Sequence, residues 1–348
     1  MPTKPETAAT STAARQNRIG MVVGLDIAPV RAPARPPASL AGGANAVPVE
    51  PVLARASTVD GAPPPPQRGR AALSNASGRF ENENRSQEDD GWDLPEDLPP
   101  LRTQVTRENA KTIVTRNDSP DISFDRSINP YRGCEHGCVY CFARPTHAYL
   151  GLSPGLDFET RLFAKTNAAS LLERELSAPG YAAKTIAIGT NTDPYQPIER
   201  NERVMRKVLE VLARTNHPVA IVTKSALVLR DLDILAPMAK KGLAKVALSV
   251  TTLDPVLARK IEPRASSPER RLDAIRRLAE ANVPTAVMVA PIIPAINDAE
   301  IEAILASAQA MGARDAGYVL LRLPLEVREL FAEWLRAHYP GTLKHMLS

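Results

Sequence analysis

The chain has 348 residues, of which 44% are hydrophobic and 24% are charged, with a mean hydropathy of −0.20. These values are typical of a soluble protein with one large domain or two ordinary ones. The formal charge of +4 is too small to indicate a nucleic-acid-binding protein. No apolar run approaches the roughly 20 residues that a membrane-spanning helix needs, so we expect no membrane partner.

Residues 1–100 hold 15 of the 32 prolines, many of them in runs such as GAPPPPQRGR. Such a segment buries too little apolar surface to offset its chain entropy, and we predict that it is mostly disordered. Met21 is an alternative translation start. Within the same segment, residues 68–81 could instead pack as a short arm on the domain that follows. Residues 101–120 are predicted to be a connector.

From residue 121 onward, short β-branched runs alternate with amphipathic stretches, which is the pattern of a parallel α/β fold. Six strands are predicted, at 121–125, 184–189, 219–224, 245–250, 285–290 and 317–323. Helices are predicted between them, beginning near Asn167, Glu202, Leu229, Asp254, Ser267 and Asp298.

The ends of several helices carry recognisable signals. Ser267, followed by Pro268, and Asp298 are expected to cap the starts of their helices, and Gly242 and Gly312 fall where helices should end. Six units joined by right-handed crossovers predict a partial (β/α)6 TIM-like barrel over residues 121–325. An amphipathic C-terminal helix follows in residues 326–348 and is expected to cover the open edge of the barrel.

All three cysteines lie in the stretch RGCEHGCVYCFARP, spaced as Cys134, Cys138 and Cys141. Three clustered thiols do not form a set of disulfides, which argues against a secreted protein and for a cytoplasmic one. Because they lie on a loop after the first predicted strand, their sulfurs should point into one small volume. The pattern therefore predicts a metal centre.

Two kinds of centre are compatible with the residues. A structural zinc site needs four ligands, and His147 could complete a Cys3His set with the three cysteines. In that alternative the protein is a non-catalytic module that binds nucleic acid through its basic surface. An iron–sulfur cubane could instead be held by the three thiolates, with its fourth iron left open.

The cysteine spacing, with Tyr140 just before the last cysteine, resembles the signature of the radical S-adenosylmethionine (radical SAM) superfamily. The resemblance covers residues 121 to 325 and is strongest to the branch that contains spore photoproduct lyase. It implies a [4Fe-4S] cluster on the three cysteines and S-adenosyl-L-methionine on its open iron. It also implies reductive cleavage of that cofactor to a 5′-deoxyadenosyl radical, which abstracts hydrogen from a substrate.

The same resemblance assigns roles to residues after the predicted strands. Thr192 and Asp193, in the stretch GTNTDPYQ, match cofactor contacts, and Lys224 and Ser249 match the pair that holds the methionine carboxylate. Tyr140 belongs to the cofactor-binding set. Other polar residues near these strand ends are weaker candidates: Thr251, Glu262, Arg264 and Arg271.

One position departs from the lyase pattern. Thr190 stands where the lyase has the cysteine that donates a hydrogen atom, and a hydroxyl is a far poorer donor than a thiol. This departure argues against photoproduct repair by the lyase's own route and leaves the substrate open, with nucleic acid among the candidates. The resemblance further implies an external one-electron donor, such as flavodoxin or ferredoxin. Relatives of this type usually continue beyond this point, which leaves both a complete and a truncated C-terminus open.

Overall fold

The computed structural model describes residues 67–81, 101–118 and 122–341. The strands are β1 (Gln104–Glu108), β2 (Val114–Arg116), β3 (Arg126–Ile128), β4 (Tyr131–Arg132), β5 (Arg161–Lys165), β6 (Ile186–Ile188), β7 (Val219–Thr223), β8 (Ala244–Ser249), β9 (Thr285–Ile292) and β10 (Asp315–Leu320). The α-helices are α1 (Leu156–Thr160), α2 (Ala168–Leu176), α3 (Glu199–Glu202), α4 (Val204–Arg214), α5 (Leu232–Lys240), α6 (Pro255–Ile261), α7 (Pro268–Glu280), α8 (Ile301–Ala310) and α9 (Glu326–His338). None of these helices is long and apolar enough to cross a membrane.

The main sheet has seven strands in the order β10-β9-β8-β7-β6-β3-β2. Strands β3 and β6 to β10 are parallel and follow one another in chain order, whereas β2 runs antiparallel to β3. The predicted α/β fold with a parallel sheet is therefore confirmed. Strands β10 and β2 lie at the two ends of this order and do not pair, so the hydrogen-bonded sheet is open.

The sequence placed the first strand wrongly. Asp121 lies outside the described residues, and the strand comprises Arg126–Ile128, whose three residues are all buried and which pairs with β6. The preceding Asp125 instead pairs with Arg126 and Lys184. The other five predicted strands overlap β6 to β10.

Several helix ends follow the local sequence. Ser267 caps α7 by accepting a hydrogen bond from the Arg270 amide, and Gly242 and Gly312 follow α5 and α8 with positive φ. The prediction for Asp298 is wrong: it begins a short 3-10 turn, and α8 starts only at Ile301 without a side-chain cap. The 3-10 turn replaces the first helical turn that the aspartate was expected to cap.

A second sheet supports the region around the cysteines. It has the order β1-β5-β4, with β1 parallel and β4 antiparallel to β5. Strands β1 and β2 lie within the predicted connector, and β5 was not anticipated. The alternation of polar and buried residues in β5 is short, and its partner β4 has only two residues.

The arm of residues 67–81 packs on the body of the protein. Ala71, Ala72 and Leu73 are buried there, which confirms the alternative of a packed arm within the proline-rich segment. Predictions for residues 1–66 and 82–100, including the start at Met21, lie outside the described residues. At the other end of the chain, α9 buries Phe331 and Trp334 in a cluster that also holds Cys138, so it covers the cysteine loop.

Candidate functional site

The cysteine loop begins directly after β4 and is shaped by two glycines. Gly133 and Gly137 have φ of +73° and +68°, a region that glycine adopts without strain. A Cβ at Gly137 would lie 2.7 Å from Glu159 Oε2, and one at Gly133 would lie 2.6 Å from Leu162 Cδ2. Both positions therefore require glycine for conformation and for space.

The buried Arg144 side chain stabilises this loop through hydrogen bonds to its backbone. Its guanidinium donates to the carbonyl oxygens of Cys138 at 2.9 Å and Gly137 at 3.1 Å, and it pairs with the carboxylate of Glu159 at 2.5 Å. Both side chains of this pair are fully buried. The same carboxylate accepts from the Ala72 amide through Oε1 and from the Ala71 amide through Oε2, so the arm is bound to it as well.

Gln196 fixes the start of the loop. Its side-chain oxygen accepts from the Glu135 amide at 2.8 Å, and its side-chain nitrogen donates to the Gly133 carbonyl at 3.2 Å. The fully buried side-chain amide thus satisfies backbone groups of the loop that would otherwise need a partner strand. The positioning roles of Arg144 and Glu159 had no signal in the sequence, because these side chains meet each other and backbone groups from separate parts of the chain.

The three cysteines are free thiols that lie near one another. Cys134 and Cys138 are buried and Cys141 is partly buried. Burial raises the pKa of all three thiols, and the pKa of Cys134 is raised further by its neighbours Asp193, Cys138 and Cys141. Sulfurs in this setting become thiolates when a metal replaces their protons.

The donor set fits an iron–sulfur cluster better than a single ion. Among the described residues, no three His, Cys, Asp or Glu side chains are grouped to hold one metal ion. His147 instead hydrogen-bonds through Nε2 to the Arg161 carbonyl at 2.9 Å and packs against Phe158. His147 is not grouped with the cysteines among the described residues, so the structure does not support the alternative Cys3His zinc site. In a cubane each cysteine holds a different iron, so three thiols without a fourth fit a cluster.

Residues from three strand ends converge beside the loop. Lys224, after β7, places Nζ 2.6 Å from Ser249 Oγ at the end of β8 and 3.0 Å from the Ala290 carbonyl of β9. The same ammonium lies 5.7 Å from the centre of the Tyr140 ring. Because β7, β8 and β9 are parallel neighbours, their carboxyl ends meet at one edge of the sheet.

Glu262 links these strand ends to the cysteine loop. Its buried carboxylate accepts hydrogen bonds from Tyr140, from Thr251 at 2.6 Å and from Arg271, and Lys224 Nζ lies 3.3 Å away. Burial opposes its charge, but Arg271 and Lys224 hold the pKa of Glu262 well below its usual range. The carboxylate is therefore ionised and orients both Tyr140 and Lys224.

Asp193 lies beside the first part of the loop, near Cys134 and His136. Its carboxylate accepts from the Lys224 amide and the Thr223 hydroxyl, each at 2.7 Å, and lies 3.4 Å from His136 Nδ1. Burial opposes its charge, but His136 and these hydrogen bonds lower the pKa of Asp193. The neighbouring Thr192 points elsewhere, since its hydroxyl donates to the Tyr131 carbonyl at 3.0 Å.

The structure thus brings together every residue of the predicted site except the Thr192 hydroxyl, which is used to hold the backbone before the cysteine loop. The roles of these residues in binding a cluster or cofactor stay predictions. Asn297, which the sequence analysis missed, fixes the backbone next to the site by donating hydrogen bonds to the carbonyls of Thr251 and Pro291.

Comparisons with known proteins agree with this site. The model of the radical SAM superfamily matches residues 128–308. An uncharacterized protein from Mycobacterium tuberculosis is 40% identical over 220 residues, which cover 62% of this chain and 65% of that relative. An uncharacterized protein from Methanocaldococcus jannaschii is 27% identical over 199 residues, covering 57% and 71% of the two chains. The chain thus spans about 65% of the length of the mycobacterial relative.

The fold is also similar to a solved structure. A spore photoproduct lyase variant superposes with a TM-score of 0.51 at 18% sequence identity, covering 68% of this chain and 66% of the lyase. At this identity the similarity concerns the fold alone. The family model, however, matches slightly more than half of the chain and contains the whole cysteine loop, so the chain belongs to the radical SAM superfamily.

Proposed function

We propose that this protein is an enzyme that holds a [4Fe-4S] cluster on Cys134, Cys138 and Cys141 and uses S-adenosyl-L-methionine for radical chemistry on a substrate. The observation that carries the proposal is the position of three free, neighbouring thiols beside the polar strand ends, in a chain that has no fourth cysteine. Three thiolates leave one iron of a cubane free for a small ligand. The six parallel strands in chain order support a partial barrel around this site.

When bound, the cluster and S-adenosyl-L-methionine supply an electron and a sulfonium whose cleavage gives a carbon-centred radical. The protein's own residues bind and orient these groups. Lys224 and Ser249 bind the cofactor's carboxylate, a role supported by their 2.6 Å contact at the carboxyl ends of neighbouring strands. The ammonium is fixed at this position by Glu262 at 3.3 Å and by the Ala290 carbonyl at 3.0 Å, so its charge is held in place for an anionic group of the cofactor.

Asp193 and Tyr140 complete the binding set. The ionised Asp193 carboxylate suits the cofactor's ammonium or ribose hydroxyls. The Tyr140 hydroxyl donates a hydrogen bond to Glu262, and this contact holds the tyrosine ring next to the Lys224 ammonium. Thr192 contributes indirectly, by holding the Tyr131 carbonyl just before the loop.

Exclusion of water is the second task of the chain. Phe331, Trp334 and Leu335 of α9 pack on the segment Cys138–Tyr140, and Phe158 packs on Cys134. Reactive radicals are protected from side reactions when the site is closed to solvent. We place the enzyme in the cytoplasm, where free thiols of this kind persist.

Anaerobic purification tests the proposal. We expect brown protein with close to four irons and four sulfides per chain, and 5′-deoxyadenosine on addition of reductant and S-adenosyl-L-methionine. Cys138→Ala should lose both the cluster and cofactor cleavage. His147→Gln is the matched control, because it removes the fourth ligand of the zinc alternative and should keep the iron. Colourless protein with one zinc per chain, lost in His147→Gln, would refute the proposal.

The hydrogen-transfer partner can be found with the same protein. Incubation with S-adenosyl-L-methionine deuterated at the 5′ carbon and with pools of nucleic acids, peptides or metabolites should label the compound that exchanges hydrogen with the cofactor. Thr190 lies on the loop after β6 and carries only a hydroxyl. We therefore expect no repair of a thymine photoproduct by a thiol-donor route.

A further inference from the structure

A cleft lies beside the cysteine loop, between α3 and the segment that joins α6 to α7. It consists of two adjoining cavities of about 390 Å³ and about 230 Å³, which share Arg200, Arg264 and Ser266 in their walls. His136 lines the smaller cavity. Because His136 stands midway between Cys134 and Cys138 in the sequence, the cleft reaches the loop at its thiol-bearing segment.

The cleft carries unbalanced positive charge. Arg259 lines the larger cavity and Arg270 the smaller one. Within the part of the chain that the structure describes, the guanidinium groups of Arg200, Arg259 and Arg270 have no hydrogen-bond or ion-pair partner. Arg264 is the exception, because it donates to Glu135 at 2.7 Å.

The acid in the wall of the larger cavity does not neutralise these arginines. Glu262 is buried, and its carboxylate pairs with Arg271 and lies 3.3 Å from Lys224. Arg200, Arg259 and Arg270 are all exposed. The cleft therefore presents three cations to solvent and selects an acidic partner.

Much of the cysteine loop is covered by the protein itself. Helix α9 packs over Cys138–Tyr140 through Phe331 and Trp334. Phe158 covers Cys134 and Ala143, and the arm binds the Glu159 carboxylate beneath Gly137. Two flanks of the described loop remain open: an apolar one at Phe142, which is 55% exposed, and the cleft at His136. The cleft is the one that carries charge, so it is the flank that can attract a charged partner.

We propose that this basic cleft, formed by Arg200, Arg259, Arg264 and Arg270, is the docking surface for an acidic one-electron donor protein of the ferredoxin type. The proposal rests on the proposed function, since it supplies the electron which that function requires. One electron leaves the reduced iron–sulfur centre of the donor, which is oxidised, and enters the cluster on the three cysteines, which is reduced. No bond forms or breaks in this step.

The basic cleft and an acidic donor protein have complementary charges. Electron-transfer complexes are weak and small, and their association is accelerated by opposite charges by about ten- to a thousandfold. The effect of the arginines should therefore appear in the rate of association and should fall with ionic strength.

The test compares two reductants of opposite charge. Formation of 5′-deoxyadenosine is measured with reduced ferredoxin, an acidic protein, and with reduced methyl viologen, a small cation that needs no docking surface. Because no nucleic acid is present, a role of the cleft in binding a polyanionic substrate does not affect the readout. The variant is the triple substitution Arg200→Glu, Arg259→Glu and Arg270→Glu, which changes only exposed side chains.

We expect the ferredoxin-dependent rate of the triple variant to fall by about tenfold or more at low salt. The rate with methyl viologen should be unchanged, and salt should slow the wild type but not the variant. Arg328→Glu is the matched control, because this exposed arginine lies on α9 on the covered flank of the loop. It should keep both rates.

Three outcomes overturn the docking surface: an unchanged ferredoxin rate in the triple variant, equal losses with both reductants, or a wild type that works with methyl viologen but not with ferredoxin. The last outcome leaves the proposed function intact. A wild type that forms no 5′-deoxyadenosine even with methyl viologen refutes the proposed function itself.

Discussion

Arg144 and Glu159 form an ion pair in which neither side chain is exposed to solvent, and this pair joins the cysteine loop to the N-terminal arm. The arginine binds carbonyl oxygens of the loop, and the glutamate binds amides of the arm. A charge buried this deeply depends on its partner, because removal of one member leaves the other unpaired.

Removal of the glutamate charge should therefore destabilise the protein strongly. For Glu159→Gln we expect a loss of about 3–5 kcal/mol in the free energy of unfolding, measured by urea titration under anaerobic conditions. Glu280→Gln is the matched control, because its ion pair with Arg276 is exposed on α7. The control should lose less than about 1 kcal/mol, and equal losses in the two variants would show that the buried pair has no special role.

A methyl group at Gly137 should disturb the loop more than the backbone conformation alone explains. Gly137→Ala places a Cβ 2.7 Å from the Glu159 carboxylate, whereas Gly180→Ala, at φ +77°, places it in open space. Both substitutions cost about 1–2 kcal/mol for the left-handed conformation. We expect a larger loss of thermal stability and of bound iron for Gly137→Ala, and identical behaviour of the two would contradict the contact.

The Lys224 ammonium should affect cofactor binding without affecting the cluster. Lys224→Met removes a charge-assisted contact, for which we expect the affinity for S-adenosyl-L-methionine to fall about tenfold or more. Equilibrium dialysis measures the affinity, and iron analysis measures the cluster. Lys240→Met, an exposed lysine at the end of α5, is the control and should bind normally. Unchanged affinity in Lys224→Met would remove this residue from the binding set.

The packing of the arm predicts a different response at two neighbouring alanines. Ala72 is fully buried and Ala76 is exposed. Ala72→Asp introduces a second carboxylate next to Glu159 and should release the arm, which limited trypsin digestion would detect as faster cleavage at Arg70 or Arg79. Ala76→Asp should be cleaved at the wild-type rate. Equal protection of both variants would show that the arm does not depend on this contact.

Asp125, just before β3, is expected to make a pH-dependent contribution to the free energy of unfolding. Hydrogen bonds from Arg126, and more weakly Lys184, lower the pKa of Asp125 from 3.8 to about 2. A folded-state pKa below the unfolded value means that the stabilisation is complete above about pH 5 and is lost as the pH falls toward 2.

Asp125→Asn should thus be less stable than the wild type at pH 7. Because the Asp125 side chain is 37% exposed, solvent screening limits the difference to about 1 kcal/mol or less. The difference, measured by urea titration, should shrink between pH 5 and pH 3. A difference that stays constant over this range would exclude the ion pair as its cause.

The sequence was informative where short-range patterns determine structure. Lys224 and Ser249 are 25 residues apart, but each follows a recognisable strand, and parallel neighbours bring their ends together. The cysteine spacing likewise identified the loop and the family. Buried β-branched runs marked five of the six parallel strands closely enough to place these residues.

The rest depends on contacts that no local pattern encodes. Arg144 and Glu159 meet only because the loop and α1 fold back on each other, and Gln196 binds backbone groups across a turn. The first strand was misplaced because its three buried residues are too few for a periodic signal, whereas the adjacent polar–apolar alternation resembled a strand. The sheet formed by β1, β4 and β5 was missed because the alternation of polar and buried residues in β5 is short and β4 has only two residues.

The Glu262 carboxylate contacts both halves of the candidate site, since Tyr140 belongs to the cysteine loop and Lys224 directly follows β7. The neighbouring Ile261 carbonyl also accepts from the Val139 amide. Binding of a ligand at the strand ends should therefore change the affinity of the cysteine loop for its metal centre. By thermodynamic linkage, the metal centre should change the affinity for the ligand by the same factor. If the proposed cluster is present, saturation with S-adenosyl-L-methionine should consequently slow the loss of its iron to chelators and to air, so that the ligand protects the inorganic centre beside it.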